Sequence, residues 1–234
     1  MKHAVYCGTR NVYGDMETAA KSLVANSDVD IIHFLIEDSE FPRPLPDVVQ
    51  VHDVSGQQFF PPDGANAKSQ YTYMTLMRTA LCHVLPDVDE VLSLDCDTVA
   101  VSYCSGAWDV DVGGCYFAAS QEKWLKRPGV QYCNTGVSLF NLAELRKGKA
   151  DEVVDVLNRH YFRWPEQDAL NFLCQGRIAV MDSAYNYCPW TVAPRKTVRI
   201  VHYAARDDWR NEPPATKYRK MTWEEALRRH GGCS

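Results

Sequence analysis

The amino-acid sequence predicts an α/β fold, with a mostly parallel central sheet and helices on both of its faces. Short apolar runs that suit buried strands alternate with segments whose apolar residues recur at the helical period. Alternation of this kind is typical of parallel strands covered by helices on both sides. The 234 residues contain no internal repeat and no low-complexity linker, so we expect a single domain over residues 1–234.

The first half of the chain is expected to contribute four strands and two helices. Apolar runs with the length of buried strands lie at Lys2–Gly8, Asp30–Ile36, Val48–Val51 and Val91–Leu94. The first helix is indicated by apolar residues three and four positions apart, at Met16, Ala19, Ala20, Leu23 and Val24. A second helix is predicted over Lys68–Leu85, which Pro86 ends. The segment Ser55–Ala67, with two Gly and two Pro, is predicted to be a loop.

The second half of the chain is expected to add three strands and three helices. The strands are predicted at Gly136–Asn141, Ile178–Val180 and Val198–His202. The helices are predicted at Asp151–Tyr161, Glu166–Cys174 and Trp223–Arg229. Thr222 and Glu225 have the spacing of a capping box, which marks the start of the last helix.

Composition narrows the class of protein. A chain with 46% hydrophobic and 24% charged residues is near the globular average, which excludes a disordered, collagen-like or coiled-coil protein. It has no apolar run of about 18 residues, and its N-terminus does not have the pattern of a secretory signal. The nine Cys include no C-x-x-C pair and are expected to be free thiols in a reducing compartment. The predicted location is therefore the cytoplasm, without a transmembrane segment.

The net charge of −5 is distributed unevenly. Residues 195–229 hold ten Lys and Arg against five Asp and Glu, which makes this segment +5 and the rest −10. Two interpretations stay open: a solvated helix face without a partner, or a peripheral contact with phosphate or a membrane surface. No nucleic-acid partner is expected.

Two carboxylates directly follow a predicted buried strand. Asp95 and Asp97 come after Val91–Leu94 with one residue between them. In an extended chain such residues point the same way, so the two carboxylates converge. They repel each other unless a cation or a shared proton lies between them, and their oxygens suit Mg²⁺ or Mn²⁺. The alternative is a pair of aspartates that cap a turn or a helix.

A late histidine is a candidate third ligand. His202 closes the predicted strand Val198–His202, whose end is expected at the same crevice of the sheet. With Asp95 and Asp97 it would complete a set of two oxygens and one nitrogen, which favours Mn²⁺ over Mg²⁺. The alternative is an ordinary, partly buried histidine.

Six short motifs stand in a defined order along the chain. They are Ala19–Leu23 with Asn11 upstream, Asp89–Asp97 with Arg78 upstream, Tyr132–Leu142, Glu166–Asn171, Tyr185–Asn186 with Trp190, and His202–Tyr203 with Trp209. In this order they resemble the retaining nucleotide-sugar glycosyltransferases of family 8. The resemblance implies the Rossmann-like GT-A fold, with a nucleotide-binding part over about 1–110, a sugar and acceptor part over about 111–205, and a basic segment at 206–234.

The resemblance also implies a UDP-linked sugar donor, a divalent metal and a hydroxyl acceptor on a glycan, lipid or protein. Asp95, Asp97 and His202 match the metal ligands, with Mn²⁺ expected and Mg²⁺ as the alternative. The positions expected at the nucleotide are Cys7, Thr9, Asn11, Arg78 and Cys96. The positions expected at the donor sugar are Asn134, Glu166 and Gln167.

The resemblance implies that the sugar keeps its anomeric configuration, for which two routes are open. A covalent route requires a nucleophile, and the matching Gln167 carries an amide, which is a poor one. We favour attack on the same face through an oxocarbenium-like state, in which Gln167 positions the sugar and stabilises the developing positive charge. Gln167 and Glu166 are therefore the expected catalytic residues. In the simplest alternative, Gln167 and Asp168 only cap the helix that begins there.

Four departures from the family pattern leave the donor sugar open. Thr9 stands where the family often has Asp. The segment after His202 lacks the family's Gly and Lys, and Arg206 is the candidate replacement for the Lys charge. The first acid of the Asp-Gln-Asp block is Glu166, one methylene longer. The family's Asp upstream of Asn134 has no clear match, and the nearest candidates are Gln121 and Glu122.

Two other functions stay open at this point. The missing Gly and Lys favour a binder of sugar nucleotides or glycans on the same fold, without catalysis. The run Asp95-Cys96-Asp97-Thr98-Val99 also resembles the signature of haloacid-dehalogenase-type phosphatases, with Asp95 as nucleophile and Asp97 as acid and base. That signature usually lies near the N-terminus, whereas two strand–helix stretches precede it here.

Overall fold

In the computed structural model, which describes residues 1–67, 69, 71–124 and 129–230, the central feature is a seven-stranded sheet. Its strands are β1 His3–Gly8, β2 Ile31–Ile36, β3 Val49–Asp53, β4 Glu90–Leu94, β6 Phe117–Gln121, β7 Cys133–Asn141 and β8 Ile178–Val180. They lie in the order β3-β2-β1-β4-β7-β6-β8. Neighbours are parallel except at β7, which is antiparallel to β4 and β6. The predicted, mostly parallel sheet is confirmed.

Helices cover both faces of this sheet. Those in the described residues are α1 Tyr13–Ala25, α2 Tyr73–Leu76, α3 Leu81–Val84, α4 Leu142–Glu144, α5 Ala150–Arg159, α6 Pro165–Leu173, α7 Pro213–Lys220 and α8 Trp223–His230. One apolar core joins α1, α7 and α8 to one face, and a second joins the helices from α2 to α6 to the other. Side chains alternate across each strand, so neighbours such as Tyr6 and Val5 enter different cores.

The long helix predicted over Lys68–Leu85 is wrong. Residues 68 and 70 lie outside the described residues, and from Tyr73 the chain forms α2, a 3-10 turn at Met77–Ala80, and α3. The Thr79 hydroxyl donates to the Leu76 carbonyl, three residues back, over 2.8 Å. This bond competes with the regular helical ladder and favours the tighter 3-10 turn.

Two short strands that bear on the site pair outside the main sheet. They are β5 Thr98–Ala100 and β9 Ile200–His202, which run antiparallel and place Thr98 opposite His202. The strand β9 was predicted from the sequence, whereas β5, β6, α4 and α7 were not. β6 reads Phe-Ala-Ala-Ser-Gln, which contains no β-branched residue and gave no strand signal.

The segment that follows β9 is fastened to α1 through a buried carboxylate. Asp15 accepts hydrogen bonds from Arg210 Nε at 3.0 Å and from Arg219 Nη2 at 3.1 Å. The predicted capping box at the start of α8 is confirmed, since the Thr222 and Glu225 side chains each accept from the other's backbone N–H. Two of the basic groups of this segment are therefore neutralised within the fold.

Two further expectations concern the thiols and the membrane. The eight cysteines in the described residues are all free. Within the same residues, none of the helices has both the length and the apolar character that a bilayer crossing requires.

Candidate active site

The turn between β4 and β5 carries the two aspartates. Asp95 N donates to the Gly136 carbonyl on β7 over 2.8 Å, and the Asp95 carbonyl accepts from Thr98 N and Thr98 Oγ1. The expected extended conformation is wrong, because residues 95–97 turn the chain from one strand into the next. The two carboxylates nevertheless face the same histidine.

His202 completes a cluster of three ligand atoms. Its Nε2 lies 3.4 Å from Asp95 Oδ2 and 3.4 Å from Asp97 Oδ1, and one ligand atom from each residue fits within 4.8 Å of the others. Gly136 makes room for the ring, since a Cβ there would lie 2.1 Å from His202 Cε1. Antiparallel pairing of β5 and β9 thus unites residues that are far apart in the sequence.

The donor set of this cluster fits a divalent cation. Burial would lower the pKa of His202, but the carboxylates of Asp97 and Asp95 outweigh it and raise this pKa well above its usual value. Two carboxylate oxygens and one imidazole nitrogen are the ligands that Mn²⁺ accepts, and Mg²⁺ accepts the oxygens. A positive charge between these groups relieves their repulsion.

Arg78 lies behind the cluster and links two acids. Its side chain is 5% exposed. The guanidinium contacts Asp95 Oδ1 and Glu166 Oε1 and donates to the Thr135 carbonyl over 2.8 Å. Burial would raise the pKa of Asp95, but Arg78 and then His202 hold it well below its usual value. For Glu166 burial prevails, and its pKa is raised although Arg78 opposes the shift.

A second cluster holds Gln167 in one orientation. Gln167 Oε1 accepts from Thr135 N at 3.2 Å, and Gln167 Nε2 donates to Glu122 Oε1 at 3.2 Å and to the Tyr132 hydroxyl at 3.1 Å. Glu122 Oε1 also accepts from Asn134 Nδ2 over 3.0 Å. Of the two candidates for the family's acid, the structure therefore brings Glu122 beside Asn134 and Gln167.

Both clusters open into one cavity of about 680 Å³. Among its lining residues are the sequence-predicted Asp95, Asp97, Asn134, Glu166, Gln167 and His202. Three tryptophans that sequence analysis had not assigned to the site, Trp124, Trp164 and Trp190, also line it. Trp124 and Trp190 are 49% and 45% exposed, so they form part of the surface at this cavity.

The remaining predicted residues lie outside the lining of this cavity. The Thr9 hydroxyl bonds to Asn11 Oδ1 just after β1, and Cys96 Sγ donates to the Cys7 carbonyl over 3.4 Å. Arg206 is ion-paired with Glu212 and with Asp208.

Asn186 contacts His202 directly, although sequence analysis gave it no role. His202 Nδ1 lies 2.9 Å from Asn186 Oδ1. The motif Tyr185–Asn186 was the one sequence feature that pointed to this residue. A sequence motif does not show which side chains its residues contact.

Comparison with known proteins identifies a family that matches most of this chain. The family described as "Glycosyl transferase family 8" matches residues 18–207. A Haemophilus influenzae protein named "Putative glycosyltransferase" is 22% identical over 129 residues, which are 49% of this chain and 39% of that protein. The chain thus matches less than half the length of this curated relative.

Solved structures share the fold at low sequence identity. The glycosyltransferase GlyE of Streptococcus pneumoniae TIGR4 superimposes with a TM-score of 0.73 at 19% identity, over 99% of this chain and 63% of that one. The galactosyltransferase LgtC, solved with donor and acceptor sugar analogs, gives a TM-score of 0.67 at 22% identity, over 98% and 95%. Mouse xyloside xylosyltransferase 1 gives a TM-score of 0.63 at 15% identity, over 87% of this chain and 98% of that one. The fold is therefore that of GT-A glycosyltransferases, and the haloacid-dehalogenase hypothesis is wrong. Because the family match covers residues 18–207, the chain belongs to glycosyltransferase family 8.

Proposed function

We propose that this glycosyltransferase moves a hexose from a UDP-sugar to a hydroxyl acceptor with retention of configuration, using Mn²⁺ or, less favoured, Mg²⁺. The observation that carries the proposal is the convergence of Asp95, Asp97 and His202 on one point of a cavity. The same cavity holds the amide of Gln167 and the carboxylate of Glu166. The three converging ligands therefore suit a diphosphate, and the amide and carboxylate suit a sugar.

We assign the binding of the donor's diphosphate and nucleoside to the three metal ligands and to the residues expected at the nucleotide. A cation held by Asp95, Asp97 and His202 would supply Lewis-acid chemistry for the negative charge of the diphosphate. Arg78 keeps Asp95 ionised and fixed in place. Cys7, Thr9, Asn11 and Cys96 are proposed at the nucleoside because of the resemblance. Arg206 is proposed at the diphosphate, as the replacement for the charge of the family's Lys.

We assign the binding of the donor sugar to Asn134, Glu166 and Gln167. Both ends of the Gln167 amide are engaged by neighbouring groups, which suits a fixed dipole better than a mobile nucleophile. We therefore favour attack on the same face of the sugar, with the Gln167 carbonyl oxygen stabilising the positive charge that develops at the anomeric carbon. The departing phosphate accepts the proton of the acceptor hydroxyl, so proton and charge balance without a covalent enzyme adduct.

The experiment measures UDP release from UDP-glucose, UDP-galactose and their N-acetyl forms in Mn²⁺. Wild-type protein should release UDP, even into water, and Asp95→Asn and Asp97→Asn should lose at least about 100-fold in turnover while remaining folded. The exposed Asp47 gives a matched control, since Asp47→Asn removes a charge away from the site. Wild-type turnover in either site variant would contradict the metal assignment.

A binder without catalysis is the second candidate function. One observation favours it: Arg206 is ion-paired with Glu212 and Asp208, so the proposed replacement for the family's Lys is engaged elsewhere. The same assay separates the two functions. UDP-sugar binding without UDP release would support the binder, and release would exclude it.

The acceptor and the cellular setting are proposed more broadly. Exposed Trp124 and Trp190 provide flat apolar surface beside the cavity, which suits the apolar faces of a glycan, and a lipid or protein acceptor is the alternative. We propose action in the cytoplasm. A peripheral membrane contact through the basic segment at 206–234, of which residues 231–234 lie outside the described residues, stays a prediction.

A further inference from the structure

A run of buried hydrogen bonds begins at the backbone of β7. Gly136 N donates to Asn134 Oδ1 over 3.1 Å, and Asn134 Nδ2 donates to Glu122 Oε1 over 3.0 Å. A backbone N–H only donates and a carboxylate only accepts when ionised. These two contacts therefore fix which end of the Asn134 amide is oxygen and which is nitrogen.

Asn186 takes its orientation from Asn134. Asn186 Nδ2 lies 3.1 Å from the Asn134 carbonyl oxygen and 3.0 Å from Asn134 Oδ1. Both of these oxygens are acceptors, so the atom that faces them must be the nitrogen. The Asn186 oxygen is then left to face His202 Nδ1 at 2.9 Å. Asn186 is 0% exposed, so solvent does not compete for these contacts.

The oxygen of Asn186 fixes the proton of the His202 ring. An amide oxygen accepts, so His202 Nδ1 must carry a hydrogen. In the neutral ring the lone pair then belongs to Nε2, which is the nitrogen that lies 3.4 Å from both Asp95 and Asp97. An imidazole that ligates a metal through one nitrogen commonly donates its other N–H to such an oxygen, which fixes the tautomer and the ring orientation.

We propose that Asn186 is a positioning residue of the metal site, which holds His202 in the tautomer whose Nε2 can bind a divalent cation beside Asp95 and Asp97. This role rests on the metal site of the proposed function. Gly136 serves the same end in two ways: its N–H orients Asn134, and its missing side chain leaves room for the ring.

The test compares Mn²⁺ affinity, measured by electron paramagnetic resonance of free Mn²⁺, in two leucine variants. Asn186→Leu removes three hydrogen bonds from a buried site. Asn66→Leu is the matched control, because Asn66 is 1% exposed and also makes three hydrogen bonds, all to the backbone around α5 and the loop after it. We expect Asn186→Leu to bind Mn²⁺ about 10- to 100-fold more weakly than wild type, and Asn66→Leu to match wild type. Equal affinities in the two variants would overturn the role of Asn186.

A second measurement does not depend on the variant folding. In the wild-type chain loaded with diamagnetic Mg²⁺, the ¹⁵N chemical shifts of His202 should show a protonated Nδ1 and an unprotonated Nε2. The reverse pattern would overturn the role of Asn186 while leaving the metal site intact. If the wild-type chain bound neither Mn²⁺ nor Mg²⁺, the metal site and the role of Asn186 would fall together.

Discussion

A row of three imidazoles crosses the parallel strands β1, β2 and β3 and should make stability depend on pH. His3 Nδ1 lies 3.0 Å from His33 Nε2, and His33 Nδ1 lies 3.0 Å from His52 Nε2. Each N–H···N bond needs one donor and one acceptor, so a neutral central ring donates to one neighbour and accepts from the other. Burial, then the charges of His52 and His3, lower the pKa of His33 to about 4.

The size of the effect follows from this pKa and the unfolded value of about 6.5. A histidine whose pKa is lowered by folding binds its proton more readily in the unfolded chain, so its stabilising contribution is complete above pH 6.5 and is lost as the pH falls towards 4. Between pH 7.5 and pH 5 the linkage relation gives a loss of about 2 kcal/mol in the free energy of unfolding. With a urea m-value of about 3 kcal/mol per molar, the midpoint should fall by roughly 0.7 M.

The assay is urea unfolding at the two pH values in the presence of a chelator. His33→Gln keeps a donor and an acceptor but does not titrate in this range, so its midpoint should fall by roughly 0.7 M less than that of wild type. The exposed His160 is the matched control, and His160→Gln should follow wild type. If all three midpoints fell equally, the reasoning about His33 would be refuted.

Two further predictions concern the site. Gly136→Ala places a Cβ 2.1 Å from His202 Cε1, so Mn²⁺ affinity should fall at least about tenfold, whereas Gly56→Ala, with nothing within 4 Å of its Cβ, should match wild type; equal affinities would contradict the packing argument. Arg78→Met leaves two carboxylates without their buried cation, which should cost about 3–5 kcal/mol of unfolding free energy in urea titrations. A loss under about 1 kcal/mol would show that water reaches these carboxylates.

Sequence periodicity predicted those elements whose residues follow one simple pattern. The helix marked by Met16, Ala19 and Leu23 is present as α1, and the strand predicted at Ile178–Val180 is present with those bounds. Periodicity failed where another interaction decided the backbone. The Thr79 hydroxyl bonds within its own turn, and β5 is held by pairing with β9, about a hundred residues away. Such long-range pairing leaves no local mark in the sequence.

The candidate site was predictable in its residue types and only partly in its geometry. The converging carboxylates and His202 were expected, and they lie together. Asp95 and Asp97 lie in a turn because Thr98 hydrogen-bonds to the Asp95 carbonyl. The pattern of hydrophobic residues does not reveal such a bond. The contact between Asn186 and His202 depends on the loop at Asn186 meeting the end of strand β9, so no spacing along the chain could reveal it.

The direction of β7 explains why the proposed metal ligands and the residues proposed at the sugar form one connected unit. Because β7 is antiparallel to β4, its beginning lies at the edge of the sheet where β4 ends, and Val137 pairs with Leu94. The residues just before Val137 therefore reach the carboxyl edge, where the Gly136 carbonyl accepts from Asp95 N. Asn134 lies on the same stretch and bonds to Glu122, which also holds Gln167. A parallel strand at this position would have brought its last residues to that edge, so the two halves of the site depend on one reversal of strand direction.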